Sequence, residues 1–178
     1  MIIPANKNVN PNPSQQDMKE LQYLYNLRKF SILESKAREL LKKYKKNVEL
    51  QNILGVALSV QWKSNYAIEI FENIIKIQPN FYFAYNNMGN ALKDLCRLDE
   101  AKIYYQKCVK INPKYIDAYI GLGKIFLDLN KLDKSAAVFQ QALKLKPENG
   151  ELHRRLSQVM KYEQTSSHVK DMEKIIST

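Results

Sequence analysis

The residues of this chain that could do chemistry are few, and their spacing does not assemble a reactive site. His153 and His168 lack the cysteine or carboxylate arrangement that a nucleophilic triad or a zinc site requires. Cys96 and Cys108 form no Cys-x-x-Cys pair, and we interpret them as reduced thiols in helices rather than as a disulfide. We therefore predict no catalytic residue, no metal site and no cofactor, and expect that this chain is not an enzyme.

Phosphate chemistry is not indicated either. Gly121 and Gly123 form a Gly-x-Gly motif, but no third glycine follows in register and the stretch is predicted to be helical. The acidic pair Asp99-Glu100 falls where a helix is predicted to begin. A carboxylate at that place stabilises the helix N-terminus, which explains the pair without catalysis.

The charge balance of the chain is strongly basic, with a formal net charge of +10. Lysine and arginine neutralise phosphates, so this excess of basic residues is compatible with binding a polyanion. However, only 5 of the 28 basic residues are arginine, whereas proteins that read phosphates and grooves favour arginine. The densest basic run, 42–46, falls where a helix should end, and cations there complement the helix dipole. We interpret it as a solvated helix end, with a polyanion patch as the alternative, and do not expect a nucleic-acid partner.

The hydropathy of the chain suits a folded protein outside the membrane. No apolar run approaches the roughly 20 residues that a transmembrane helix needs. The first six residues also lack the charged and apolar segments of a secretion signal. A cytoplasmic location is expected.

The elements that must position these residues follow a 34-residue period. Glycines and prolines recur with it, at Gly55, Gly89 and Gly123 and at Pro79, Pro113 and Pro147. Small and bulky residues recur in the same phase, at Ala67, Ala101 and Ser135 and at Phe71, Tyr105 and Phe139. Such a period indicates one supersecondary unit, stacked so that each copy buries its apolar face on its neighbours.

The period divides the chain into a leader, a helix pair, three repeats and a cap. The predicted bounds are a disordered leader at 1–13, a degenerate N-terminal helix pair at 14–47, full repeats at 48–81, 82–115 and 116–149, and a capping half-repeat with a linker at 150–178. Each full repeat keeps a glycine inside its first helix, although glycine there costs about 1 kcal/mol relative to alanine. This indicates a close contact between helices, where no side chain fits.

The chain resembles the tetratricopeptide-repeat family. The second full repeat carries the family pattern throughout, with Tyr85, Met88, Gly89, Leu92, Ala101, Tyr105, Cys108 and Pro113. The resemblance covers about residues 14–162. It implies an all-α fold, a right-handed superhelix (α-solenoid) of antiparallel helix pairs, that acts as a non-catalytic scaffold for a protein or peptide partner. A monomer is the default expectation.

The resemblance also implies which residues line the concave groove, at positions 2, 5, 9, 12 and 13 of each repeat. The candidate peptide-binding residues are Asn52, Phe83, Asn86, Asn90, Lys93, Asp117, Ile120, Lys124, Asp128, Arg154 and Gln158. Their asparagine amides suit the backbone of an extended peptide. Phe83 is the expected anchor, because aromatic side chains dominate such interfaces. The alternative is that the groove is a solvated face.

Two specialised grooves of the family are disfavoured by position. The carboxylate clamp for chaperone C-termini needs lysine at position 5 and asparagine at position 9, with further basic residues in a later repeat. Here Asn86 and Asn90 hold the first pair of positions and Asp117 and Gly121 follow, so the lysine is missing. The asparagine ladder of the O-linked N-acetylglucosamine transferase groove needs repeated asparagines, but Ile53 and Gly121 flank Asn87 in register.

A narrower resemblance concerns the two ends of the repeat region. The segments 151–158, 161–162 and 168–172, and the opening at 13–16, are similar to bacterial proteins in which tetratricopeptide repeats precede a sulfotransferase domain. This implies, as an alternative function, the N-terminal substrate-recruiting arm of a larger sulfotransferase-like enzyme. The phosphate-cradling loop of such a transferase is not found in this sequence.

Overall fold

The computed structural model describes residues 12–161, and every regular element in that range is an α-helix. The helices are α1 (Gln15–Asn26), α2 (Phe30–Lys43), α3 (Val48–Val60), α4 (Ser64–Ile77), α5 (Tyr82–Asp94), α6 (Leu98–Ile111), α7 (Ile116–Asp128), α8 (Leu132–Leu145) and α9 (150–161). Most of the predicted leader and the whole of the predicted linker lie outside the described residues. The chain forms two compact units, unit 1 up to Pro79 and unit 2 from Asn80.

Unit 1 is built from α1 to α4, and each of its helices packs against the next along the chain. Its first helix is stabilised by a capping box, because Ser14 Oγ accepts from Asp17 N at 3.1 Å while Ser14 N donates to Asp17 Oδ2 at 3.1 Å. Lys42 and Lys43 lie in the last turn of α2, where cations stabilise the helix dipole, as the sequence predicts. Among the described residues, the core of the unit is mostly aliphatic and contains two buried rings, Tyr44 and Phe71.

The glycines that recur in the first helices each face the aromatic ring of a second helix. In unit 1, a Cβ added to Gly55 would lie 2.5 Å from the ring of Phe71. In unit 2, Gly123 faces the ring of Phe139 in the same way. Both rings are fully buried. The first helix therefore approaches the second so closely that the ring occupies the volume of a side chain, as the sequence predicts.

Tyr105 in unit 2 is held between glycines of two first helices. A Cβ on Gly89 of α5 would lie 2.8 Å from the Tyr105 ring, and a Cβ on Gly121 of α7 would overlap the same ring. The Tyr105 hydroxyl donates to Asn90 Oδ1 at 2.6 Å, so the ring is fixed at its tip as well. Gly121, which could have belonged to a phosphate loop, is thus a packing residue.

The turn within each helix pair contains one residue in the left-handed backbone region. The four residues are Arg28, Trp62, Cys96 and Asn130, with φ of 55°, 63°, 59° and 53°. They recur with the 34-residue period, and none is a glycine. Cys96, expected to be helical, lies in this turn instead, because the chain must reverse there. The Trp62 side chain is 86% exposed.

Relieving this left-handed strain should stabilise the protein. The substitution Cys96→Gly removes the Cβ that makes the conformation costly, and the free energy of unfolding should rise by about 1 kcal/mol. Asn130→Gly, one repeat later, should gain less, since asparagine already tolerates this conformation. Urea unfolding of both variants measures the difference. Equal gains at the two positions would contradict the explanation.

No helix within residues 12–161 combines the length and the apolar character that crossing a bilayer requires.

Candidate peptide-binding face

The residues predicted to bind a peptide lie on the first helices of the repeats. Asn52 is half-buried on α3 in unit 1. The other ten lie in unit 2, on α5, α7 and α9. We call the surface formed by these three helices of unit 2 the first-helix face.

Phe83 stands at the beginning of α5 inside a cluster of four aromatic rings. Its centroid lies 4.1 Å from that of Tyr82 and 5.5 Å from those of Phe81 and Tyr115. The Phe83 side chain nevertheless remains 37% exposed. The cluster therefore fixes the ring while leaving part of it open to solvent.

The polar residues of α5 differ in how far they are open to solvent. Asn86 is only 5% exposed, and its Nδ2 donates to Asn87 Oδ1 at 3.3 Å. Asn90 is exposed but its Oδ1 accepts from Tyr105, so its orientation is fixed from below. Lys93 is half-buried and forms an ion pair with Asp94 at 3.0 Å. Asn90 and Lys93 thus offer donors at the surface, whereas Asn86 forms part of its floor.

The residues of α7 combine charge with core packing. Asp117 and Asp128, near its two ends, are exposed. Ile120 is half-buried against the apolar cluster around Tyr119 and Leu152 and so belongs partly to the core. Lys124 is half-buried between the two acidic positions.

Helix α9 adds a cluster of ion pairs to the face. Arg154 Nε donates to Glu151 Oε2 at 3.0 Å, and Arg155 Nη2 forms an ion pair with Glu151 Oε1 at 2.5 Å. Gln158 is exposed one turn further on. Arg155 was not among the predicted residues, although it follows Lys93 and Lys124 at a constant spacing of 31 residues that the sequence displays.

His153 has a structural role on α9. Its Nε2 lies 2.7 Å from the carbonyl oxygen of Pro147, and this carbonyl can only accept, so Nε2 carries the proton. One repeat earlier, the Tyr119 hydroxyl donates to the carbonyl of Pro113 at 3.0 Å. The side chain at this position therefore ties the helix to the proline loop that precedes it.

On the first-helix face, the pKa of Lys124 is lowered from its ordinary value. Partial burial lowers the pKa of its ammonium group, and repulsion from Arg155 and then Lys93 lowers the pKa further. Glu151 acts in the opposite direction. Lys124 therefore lies in a locally positive environment.

The described residues bring together no reactive site. Burial raises the pKa of the Cys108 thiol to about 12, so this cysteine is a poor nucleophile at neutral pH. Its Sγ donates to the carbonyl of Tyr82 at 3.3 Å. Within 12–161, no three histidine, cysteine or acidic side chains are grouped as a metal site would require.

Comparison of the sequence with family models identifies tetratricopeptide repeats at residues 82–115 and 116–149. Residues 82–149 are therefore two tetratricopeptide repeats, and over this stretch the predicted resemblance to that family is confirmed. No curated protein matches the chain. Tetratricopeptide repeats generally bind proteins or peptides and are typically non-catalytic, so the repeats indicate a protein-interaction scaffold.

Solved structures share the fold at low sequence identity. The thermophilic tetratricopeptide-repeat protein TTC0263 of Thermus thermophilus is 20% identical with a TM-score of 0.74, over 82% of this chain and 80% of that one. MamA (41-end) of Desulfovibrio magneticus RS-1 is 20% identical with a TM-score of 0.69, over 92% and 93%. The first tetratricopeptide domain of Spaghetti (RPAP3), bound to the HSP90 peptide SRMEEVD, is 21% identical with a TM-score of 0.63, over 66% and 95%. These likenesses confirm the predicted fold class, an all-α tetratricopeptide-repeat fold.

Proposed function

We propose that this tetratricopeptide-repeat chain is a non-catalytic scaffold whose first-helix face binds an extended peptide. The observation that carries the proposal is the partly open ring of Phe83, on the same helix as the surface donors of Asn90 and Lys93. Aromatic anchors beside hydrogen-bonding groups are the usual source of affinity in peptide interfaces.

The surroundings of Phe83 support its role as an anchor. Its ring is held by Tyr82 and Tyr115, so little side-chain entropy is lost when a ligand covers it. The Asn90 amide is held by Tyr105 in the same manner. An extended peptide suits this arrangement. One of its side chains can pack on the fixed aromatic ring, and its backbone can form hydrogen bonds with the fixed amide.

Replacing Phe83 by alanine should weaken peptide binding by at least about tenfold, because hot-spot truncations cost about 2 kcal/mol or more. The ligand for this test is a peptide selected from a phage-displayed library on the full chain, and its affinity is measured by fluorescence anisotropy. The matched control is Tyr66→Ala on α4, which removes a ring that is 64% exposed on a second helix. It should leave the affinity unchanged.

Two results would contradict this proposal. If Phe83→Ala lowers helicity as much as affinity, the ring is a core residue and not an anchor. If no library peptide is selected on the folded protein, the first-helix face is a solvated surface. Far-UV circular dichroism of each variant separates the two results.

We propose as a second function the substrate-recruiting arm of a larger sulfotransferase-like enzyme. The observation that favours it is the sequence resemblance of 151–158 to the corresponding junction; the residues of the junction beyond Lys161 lie outside the described part of the chain. The mass of the native polypeptide and its reading frame test it. A following domain with a phosphate-binding loop is the expected result, and a product near 20.8 kDa would overturn it.

A further inference from the structure

Three basic residues form a row across the first-helix face. Lys93 on α5, Lys124 on α7 and Arg155 on α9 are spaced 31 residues apart, three fewer than the repeat period. Each successive helix therefore presents its basic residue about one turn nearer its own N-terminus, and residues three apart share a helix face. The row runs diagonally over three helices.

The helices that carry the row are neighbours in unit 2. Helix α5 packs against α7. Helices α7 and α9 share a buried cluster that includes Tyr119, Leu152 and Val159. Packed helices lie about 8–10 Å apart, so successive charges in the row are separated by about this distance plus their offset along the helices. An extended peptide of about seven residues spans the row.

The central residue of the row differs from its neighbours among the described residues, because Glu151, the acidic group that raises its pKa, is ion-paired with Arg154 and Arg155. Lys93 is paired with Asp94, and Arg155 with Glu151. Among the described residues, Lys124 forms no ion pair, although it is half-buried. A nearby anion stabilises the charged form of a half-buried ammonium group, and a ligand carboxylate would supply such an anion.

Resting on the peptide-binding function proposed above, we infer that the first-helix face selects acidic peptides. The carboxylates of an extended ligand would bind along the row, with one acidic side chain on Lys124 and a second, about three residues away, toward Lys93 or Arg155. Such a pairing would offset the repulsion of Lys124 by Arg155 and Lys93.

The charge pattern favours a peptide over a nucleic acid as the ligand. Asp117, Asp128 and Glu151 lie on the same helices as the row. A phosphate backbone, with one charge on every nucleotide, would meet these carboxylates wherever it follows the face. A peptide can place its acidic residues on the cations and neutral residues beside the carboxylates.

The test selects 12-residue phage-displayed peptides on the full chain and on the variant Lys124→Glu. Peptides from the wild-type protein should be enriched in aspartate and glutamate, spaced about three residues apart, and this enrichment should disappear on the variant. A synthetic acidic peptide from the selection should bind Lys124→Glu at least about tenfold more weakly. Lys124→Gln, which introduces no repulsion, should show a smaller loss.

The matched control is Lys134→Glu, which makes the same change in net charge at an exposed position of α8, a second helix of the same unit. Its affinity should equal that of the wild-type protein, and a parallel loss would mean that net charge alone drives binding, which overturns the inference. Circular dichroism of each variant confirms that it is folded.

The remaining outcomes distinguish failure of this inference from failure of the proposed function. Selected peptides without an acidic excess, whose binding depends on Phe83 but not on Lys124, would overturn the acidic preference and leave peptide binding intact. Failure to select any peptide would overturn both. The last outcome is that a 20-nucleotide oligo-dT binds more tightly than the acidic peptide, with an affinity that falls steeply as the salt concentration rises. That result would identify a nucleic acid, and not a peptide, as the ligand class.

Discussion

Replacing Gly121 by alanine is expected to lower the free energy of unfolding by about 1–3 kcal/mol, although alanine is the better helix former. The added methyl group would overlap the ring of Tyr105. That ring cannot retreat, because Gly89 lies against it on the α5 side and its hydroxyl is bonded to Asn90. Urea unfolding followed by circular dichroism measures the effect.

The chain contains a matched control for this substitution. Gly150, at the beginning of α9, has no heavy atom within 4 Å of an added Cβ. Gly150→Ala should therefore stabilise the protein, by up to about 1 kcal/mol, through helix propensity alone. The same chemical change is thus expected to have opposite signs at the two positions. A gain at Gly121 as well would show that the Tyr105 ring moves aside freely.

Phe139→Ala is expected to have the largest effect of any single change discussed, a loss of about 3–5 kcal/mol in the free energy of unfolding. The ring is fully buried, faces Gly123, and packs with Ala142, Leu152 and Val159 in the core cluster of unit 2. Gly123, which stands opposite the ring, has no side chain that could extend into the cavity.

Hydrogen exchange shows which helices Phe139→Ala destabilises. Amides of α7, α8 and α9 should lose protection first, since repeat units are stabilised mainly by their neighbours. The control Leu145→Ala, at a side chain that is 44% exposed at the end of α8, should cost less than about 1 kcal/mol. Similar losses for the two variants would mean that the cluster around Phe139 does not hold the unit together.

The fold class could be predicted from the sequence because the decisive contact is local and periodic. A glycine and an aromatic residue recur 16 residues apart, as in Gly55 and Phe71. This pair indicates that the first and second helices of a repeat are in close contact. The left-handed turns could not be predicted in the same way. Arginine, tryptophan and cysteine carry no turn signal at three of the four positions, and only Asn130 is a residue type that favours this conformation.

The candidate site could be predicted only in part from the sequence. Position in the repeat predicts which residues belong to the first-helix face, but it does not predict the burial of Asn86 or the bond between Asn90 and Tyr105. The bond depends on the tyrosine hydroxyl that the next helix contributes. Arg155 lies outside the repeat positions that the family pattern assigns to the groove, and its charge becomes relevant only together with those of Lys93 and Lys124.

The turn that carries Trp62 has a consequence for spectroscopy. Trp62 is the single tryptophan of the chain, and its indole is already in water in the native state. Its fluorescence emission should therefore resemble that of a denatured polypeptide and should change little when the helices melt. A blue shift of the emission would instead report that another molecule has covered this turn of unit 1, which makes the native protein its own label-free sensor of contact at that end.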